Sequence, residues 1–67
     1  MKIKEAYLLP KTYEQLNAMD TATLLNYITL CSVAIDLLSH DENHEWKQDE
    51  IADCQEAARG EFIHRSE

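Results

Sequence analysis

The sequence predicts an all-α protein, and three observations support this fold class. The 67-residue chain contains one Gly and one Pro, whereas a β-sandwich or barrel needs many turns. Two long segments place apolar residues at the three- and four-residue spacing of a helix face. Hydrophobic residues make up 45% of the chain, too many for a disordered acidic tail. We expect a single helical domain, residues 1–67: a hairpin of two longer helices with a short N-terminal helix or arm, assembled as a homodimeric helical bundle.

Residues 1–19 form the predicted N-terminal arm and short helix. The first nine residues fit a strand, a helical turn or an extended arm equally well. Pro10 suits the first position of a helix, where a missing N–H costs nothing. Three residues then follow a helical spacing of i, i+4 and i+7: Leu9, Tyr13 and Leu16. We expect a short helix over about Pro10–Ala18.

Residues 20–39 form the predicted central apolar helix. Asp20 is a good N-cap before Thr21. On a wheel of about 100° per residue, one apolar spine consists of Leu24, Ile28, Cys31, Ile35 and Leu38. A second spine beside it consists of Leu30, Val33 and Leu37. The apolar arc exceeds half the circumference, whereas a surface helix needs a stripe of only about 100° or slightly more. This helix must therefore contact at least two neighbours.

Residues 41–64 form the predicted third helix, which is acidic and amphipathic. The run Ser39-His-Asp-Glu42 fits an S-x-x-E capping box, and Asp41 or Asn43 is an alternative cap. A single narrow apolar stripe follows, made of Ile51, Cys54, Ala58 and Phe62. Gly60 weakens the last turns by about 1 kcal/mol relative to Ala, so the helix is expected to bend or fray there.

The narrow stripe of the third helix covers only part of the central helix. The connections are short, which favours antiparallel neighbours. We therefore expect a second copy of the chain to cover the remaining apolar arc, with a three-helix monomer as the alternative. The predicted core and dimer interface consists of Leu24, Ile28, Leu30, Cys31, Val33, Ile35, Leu37 and Leu38.

The charge balance excludes several classes of partner. The chain has 13 Asp and Glu against 6 Lys and Arg, for a net charge of −7. Direct nucleic-acid binding needs clustered Lys and Arg, and anionic membranes repel such a chain. The sequence has no run of about 18 uncharged apolar residues that would indicate a transmembrane span. It also lacks the basic segment followed by an apolar segment that is typical of a secretory signal. Two cysteines make no disulfide framework, so we expect a cytoplasmic protein with reduced thiols.

Five acids of the third segment fall within an arc of about 80°, opposite its apolar stripe. They are Glu42, Glu45, Asp49, Asp53 and Glu56, and they span about 21 Å at 1.5 Å per residue. Their rise of about 5 Å per acid is comparable to phosphate spacing along a nucleic-acid strand. One interpretation is a face that binds a basic protein surface, imitating DNA. The other is a solvated face that keeps a small protein soluble.

Trp46 lies between this acidic face and the apolar stripe. It either folds back over the Leu37 and Leu38 end of the central helix or forms a partly exposed anchor at a protein interface, where Trp is enriched. The three tyrosines fit half-buried packing with solvated hydroxyls.

No catalytic motif is present, so we expect no enzyme, no catalytic residue and no cofactor. His40 and His44 are four residues apart, a spacing that places two zinc ligands on one helix face. A closed zinc site needs four ligands, and no Cys or third His has a suitable spacing, so we expect no metal. A metal hydrolase at this pair is the enzyme alternative. Cys31 and Cys54 fit small core residues, and His64 fits a partner of the helix dipole.

The apolar helix Asp20–Ser39 and the acidic run Asp41–Glu56 resemble the small accessory proteins that temperate, lambda-like phages encode beside their recombination and early-control genes. The resemblance implies a non-enzymatic regulatory protein. The segments Leu24-Leu25-Asn26 and Ala34–Ser39 are also similar to the dimer helix of antirepressors that mimic DNA. Neither resemblance assigns a role to a particular residue.

Two functional hypotheses follow. In the first, the chain is a regulatory or accessory protein, and its acidic face binds a host or phage protein with a basic surface, with Trp46 at the edge. In the second, it is a structural or assembly subunit, and the apolar central helix is the working interface.

Overall fold

The structure, a computed structural model, describes residues 2–40 and 42–67. Its elements are α1 (Ile3–Ala6), α2 (Tyr13–Ala18), α3 (Thr21–Leu38), a 3₁₀ turn (Glu42–His44) and α4 (Glu45–Ser66). Because the described residues form helices and contain no strand, the all-α class is confirmed. The Cα atoms extend over 38 × 17 × 17 Å, so the molecule is a short rod along its two long helices.

The start of α3 agrees with the prediction. The Asp20 backbone is extended, and its carboxylate accepts a hydrogen bond from the Thr23 N–H at 3.0 Å. The helix ends at Leu38, and the Ser39 hydroxyl donates back to the Asp36 carbonyl at 2.6 Å.

The predicted S-x-x-E capping box is wrong. Ser39 has helical backbone angles, φ −66° and ψ −18°, whereas an N-cap residue needs an extended backbone. A 3₁₀ turn therefore intervenes and α4 begins at Glu45, preceded by His44 without a side-chain cap. The alternative cap Asp41 lies outside the described residues. The helix runs through Gly60 to Ser66, so the expected fraying there is wrong.

The short helix starts later than predicted. It begins at Tyr13, because Thr12 and Gln15 form a capping box: the Thr12 hydroxyl accepts from the Gln15 N–H, and the Gln15 amide oxygen accepts from the Thr12 N–H. Pro10 lies before the helix. The sequence left open whether the first nine residues form a strand, a helical turn or an extended arm. Within the described residues the structure has one helical turn there, α1. Met1 lies outside the described residues.

Helices α3 and α4 pack antiparallel as the predicted hairpin. The Gln48 side chain donates to the Ile35 carbonyl at 3.0 Å, and the Gln55 side chain donates to the Ile28 carbonyl at 3.0 Å. From the first bond to the second, the residue number rises by seven on α4 and falls by seven on α3. This opposite order is what antiparallel packing requires. Gln55 also donates to the Ser32 hydroxyl at 2.6 Å.

The first spine of α3 supplies most of the core. Buried hydrophobic residues are Ala6, Leu9, Leu16, Leu24, Tyr27, Cys31, Ala34, Leu38, Ile51 and Ala58. Ile28 and Ile35 pack against them, partly buried. Helix α3 contacts both α4 and α1, as predicted for a helix with at least two neighbours.

Candidate protein-binding surfaces

The predicted interface residues of α3 divide into core residues and surface residues. Leu30 and Val33 remain 36% and 46% exposed, and Leu37 is half-buried. We call Leu30, Val33 and Leu37 the outer spine. Leu8, which is 70% exposed, lines the same small cavity of about 200 Å³ as Leu30 and extends this apolar surface.

The N-terminal segment covers one side of the hairpin. There α1 packs on α3 and α2 packs on α4. The Tyr27 hydroxyl donates to the Leu9 carbonyl at 2.6 Å, and the Cys54 thiol lies 3.7 Å from the Lys11 carbonyl oxygen.

The other side, the open face, is covered by no further helix of residues 2–40 and 42–67. It carries the bridging amides of Gln48 and Gln55 described above. Beside them lies a groove of about 480 Å³ lined by Leu25, Ile28, Arg59, Phe62 and Ile63. Leu25 is 50% and Ile63 is 59% exposed. The hairpin therefore presents an uncovered apolar groove with one arginine at its rim.

All five residues of the predicted acidic face are exposed. Glu42 lies in the 3₁₀ turn and the other four lie on α4. The helical part of the acidic face, from Glu45 to Glu56, therefore spans about 17 Å. Their exposure agrees with the prediction, whereas a shared face follows from helix spacing only for the four acids on α4.

An aromatic cluster joins the N-terminal segment to the start of α4. The Tyr7 ring meets Trp46 edge-to-face at 5.9 Å and His44 at 5.4 Å between centroids. The Tyr7 hydroxyl and the His44 Nδ1 atom form a hydrogen bond. The Lys47 ammonium lies 5.0 Å from the centroid of Tyr7 and forms an ion pair with Glu50 at 3.1 Å.

The expectation that Trp46 folds over Leu37 and Leu38 is not met. Its ring packs against Tyr7 instead and stays 61% exposed, and the alternative, an anchor at a protein interface, stays a prediction. Tyr7 reaches it because it caps the end of α1, which packs on α3.

A second cluster holds the end of α4 to the α2–α3 connection. Glu61 is only 7% exposed, and its carboxylate accepts from Arg65 Nε at 2.9 Å. Arg65 also donates to the Asn17 carbonyl at 3.0 Å, and the Tyr13 hydroxyl approaches Glu61 at 3.5 Å. The sequence analysis missed this contact, although the i, i+4 spacing of Glu61 and Arg65 is the signal that points to it.

Burial sets the protonation of Tyr27 and Cys31 in the core. Burial raises the pKa of Tyr27 far above its usual range, and Cys31 and Cys54 add to that effect. Burial also raises the pKa of the Cys31 thiol, which keeps it protonated and unreactive. Both cysteines are free, Cys31 fully buried and Cys54 half-buried, so their prediction as core residues holds fully for Cys31. The buried Tyr27 hydroxyl corrects the expectation of three solvated tyrosine hydroxyls.

Among residues 2–40 and 42–67, no group of three or more His, Cys, Asp or Glu is placed to hold a metal ion. His40 and His64 are exposed, and His44 bonds to Tyr7. By length and composition alone α3 is long and apolar enough to cross a membrane, with a mean hydropathy of 1.5. A core helix of a soluble protein has the same properties, so the absence of a membrane span stays a prediction.

Comparisons with protein-family models, with curated proteins and with solved structures found no match for this chain. The surfaces described above are therefore the basis for any functional assignment.

Proposed function

We propose that this protein is a non-enzymatic binding subunit that works as a homodimer through apolar side chains of α3. The observation that carries the proposal is the exposure of Leu25, Leu30 and Val33, at 50%, 36% and 46%, on the helix that also forms the core. Exposed apolar surface rimmed by polar residues is typical of interaction sites. A chain of this length buries only about 60% of its unfolded surface, so a partner subunit also adds needed stability.

The exposed apolar residues lie on two separate sides of α3. Leu25 belongs to the groove of the open face, whereas Leu30 and Val33 belong to the outer spine. Together with Asn26, the outer spine residues Leu30, Val33 and Leu37 alternate spacings of four and three residues. This heptad spacing is typical of a helix that packs against another helix. A second copy occupies one side, and the other side remains for a further protein chain.

Light scattering over a range of concentrations tests the homodimer. We expect a mass of twice the 7.8 kDa chain. We expect at least one of two variants, Leu25→Glu and Val33→Glu, to be monomeric with unchanged helicity, since each places a charge on one side of α3. Asn17→Glu is the control, because Asn17 is an exposed polar position on α2, outside both sides of α3. A wild-type monomer at high concentration would contradict the proposal.

A second candidate function is the binding of a basic protein surface by the acidic face. The observation that favours it is Trp46, a 61% exposed aromatic at the edge of this face, because exposed Trp is enriched at interfaces. The phage-type regulatory role belongs to this candidate. Its partner is a host or phage protein with a basic surface.

Charge reversal of Glu45, Asp49 and Asp53 to Lys tests this second candidate. We expect the variant to lose a salt-sensitive complex with a basic partner while circular dichroism remains unchanged. The matched control is reversal of Glu5, Glu14 and Asp36, exposed acids outside the face. Equal loss of binding in both variants would show that only net charge matters.

A further inference from the structure

We infer that the second copy sits on the open face of the hairpin and is oriented by two reciprocal ion pairs between Glu56 of one copy and Arg59 of the other. The inference rests on the proposed homodimer and names the surface that forms it. It leaves the outer spine free for a further partner.

The open face is the broad side of the hairpin that no other part of the described chain covers. Both long helices border its groove: Leu25 and Ile28 from α3, and Arg59, Phe62 and Ile63 from α4. On the opposite broad side α1 packs against α3 and α2 packs against α4. Hairpins that dimerise into four-helix bundles pack broad side against broad side, because each helix then contacts the partner. The outer spine, in contrast, offers α3 alone.

The charges around the groove indicate which kind of partner binds there. Arg59 is exposed and forms no ion pair within residues 2–40 and 42–67, although the chain has a net charge of −7. The other arginine of the chain, Arg65, forms an ion pair with Glu61. A groove with an unpaired cation at its rim fits a partner that brings an acid to that point.

This chain itself brings such an acid. Along the edge of α4, Ala52, Glu56, Arg59 and Ile63 follow one another at i, i+4, i+7 and i+11, which places them on one strip of the helix. When two such strips meet antiparallel around a twofold axis, Ala52 faces Ile63 and Glu56 faces Arg59. The strip is therefore complementary to itself, as the contact of a C₂ dimer must be.

The two kinds of contact have separate roles. The apolar side chains of Leu25, Phe62 and Ile63 supply the area removed from water. The Glu56–Arg59 pairs fix the antiparallel orientation and exclude the parallel one, in which like charges would meet.

A charge-exchange experiment tests the assignment by sedimentation and native mass spectrometry. Glu56→Arg and Arg59→Glu each create two like-charge contacts per dimer, so we expect each variant alone to dimerise about tenfold more weakly or worse. An equimolar mixture of the two restores opposite charges and forms the mixed dimer. The double variant Glu56→Arg/Arg59→Glu restores the homodimer. Circular dichroism confirms that each single variant folds.

The outcomes separate this inference from the proposed function. Single variants that dimerise like the wild type, or a mixture that forms no mixed dimer, overturn the open-face assignment. If Val33→Glu is monomeric and the charge variants are unaffected, the homodimer stands and uses the outer spine instead. A monomeric wild type overturns both.

Discussion

The covered side and the open face of the hairpin are built from the same two helices, yet they are closed by different means. On the covered side, Leu9 and Leu16 pack into the core and the Tyr27 hydroxyl is bound to a backbone carbonyl. On the open face, the amides of Gln48 and Gln55 reach across to carbonyls of α3 and leave an apolar groove beside them. A chain of 67 residues has enough apolar residues to cover one side. The other side is held by these hydrogen bonds from side chains of α4 to the backbone of α3.

The largest expected effect comes from replacing one leucine by alanine on each side of the hairpin and comparing the two losses of stability. Leu16→Ala removes a side chain that is 1% exposed, so we expect the free energy of unfolding to fall by about 2–5 kcal/mol. Leu25→Ala, at a position 50% exposed, should cost less than about 1 kcal/mol in the monomer. Urea denaturation at low protein concentration, followed by circular dichroism, measures both. Equal losses would show that the open face is as well packed as the covered side.

The Tyr27 hydroxyl should show the next largest effect. Tyr27→Phe leaves the buried Leu9 carbonyl without its donor, which should cost about 1–3 kcal/mol. The pKa of this tyrosine is raised by burial, so the folded state favours the neutral hydroxyl. Its stabilising contribution is complete below the unfolded pKa of about 10 and is lost as the pH rises above that value.

Alkaline unfolding measures this contribution. Wild type should lose stability between about pH 9.5 and 11, and Tyr27→Phe should lose less over the same range. Tyr13→Phe is the control, because Tyr13 is 63% exposed and its hydroxyl makes only a long 3.5 Å contact with Glu61. Parallel alkaline profiles for wild type and Tyr27→Phe would mean that the hydroxyl is solvated.

The sequence was sufficient for the parts of the fold that depend on one helix at a time. The Asp20 cap and the first spine of α3 follow from local hydrogen bonding and from helix periodicity, and both agree with the structure. The start of α4 differs from the prediction. An S-x-x-E run forms a capping box only where the backbone of its serine is extended, and the backbone of Ser39 remains helical.

The candidate surfaces depend on two helices at once, which explains why they were predicted only in part. The wheel of α3 showed two spines but not which of them α4 would cover. On the wheel of α4, Gln48 and Gln55 look like solvated residues, and their bonds to α3 depend on the antiparallel register. The acidic face was predictable because exposure opposite an apolar stripe needs no knowledge of neighbours.

A substitution near the open face should stabilise the protein modestly. Gly60 is exposed within α4, and a Cβ there would meet nothing within 4 Å. Gly60→Ala should therefore raise the free energy of unfolding by about 0.5–1 kcal/mol, because it restricts the unfolded chain and suits a helix. Ala58→Gly, two residues away at a fully buried position, should be destabilising by at least as much. Thermal unfolding measures both, and a loss of stability in Gly60→Ala would contradict the open space around Gly60.

The smallest expected effect concerns Asp20, which caps α3 where the α2–α3 connection meets Arg65. Hydrogen bonds from Thr23 lower the pKa of the Asp20 carboxyl from its ordinary 3.8, and the charge of Arg65 adds to this. Because the folded pKa is depressed, the contribution is present above the unfolded pKa and is lost as the pH falls through the folded one. Asp20→Asn keeps a good cap but cannot titrate. Its melting temperature should therefore fall less than that of the wild type between about pH 5 and 2.5, with Asp36→Asn as the exposed control. An identical acid profile in wild type and Asp20→Asn would mean that the cap acts through its hydrogen bonds alone, independently of its charge.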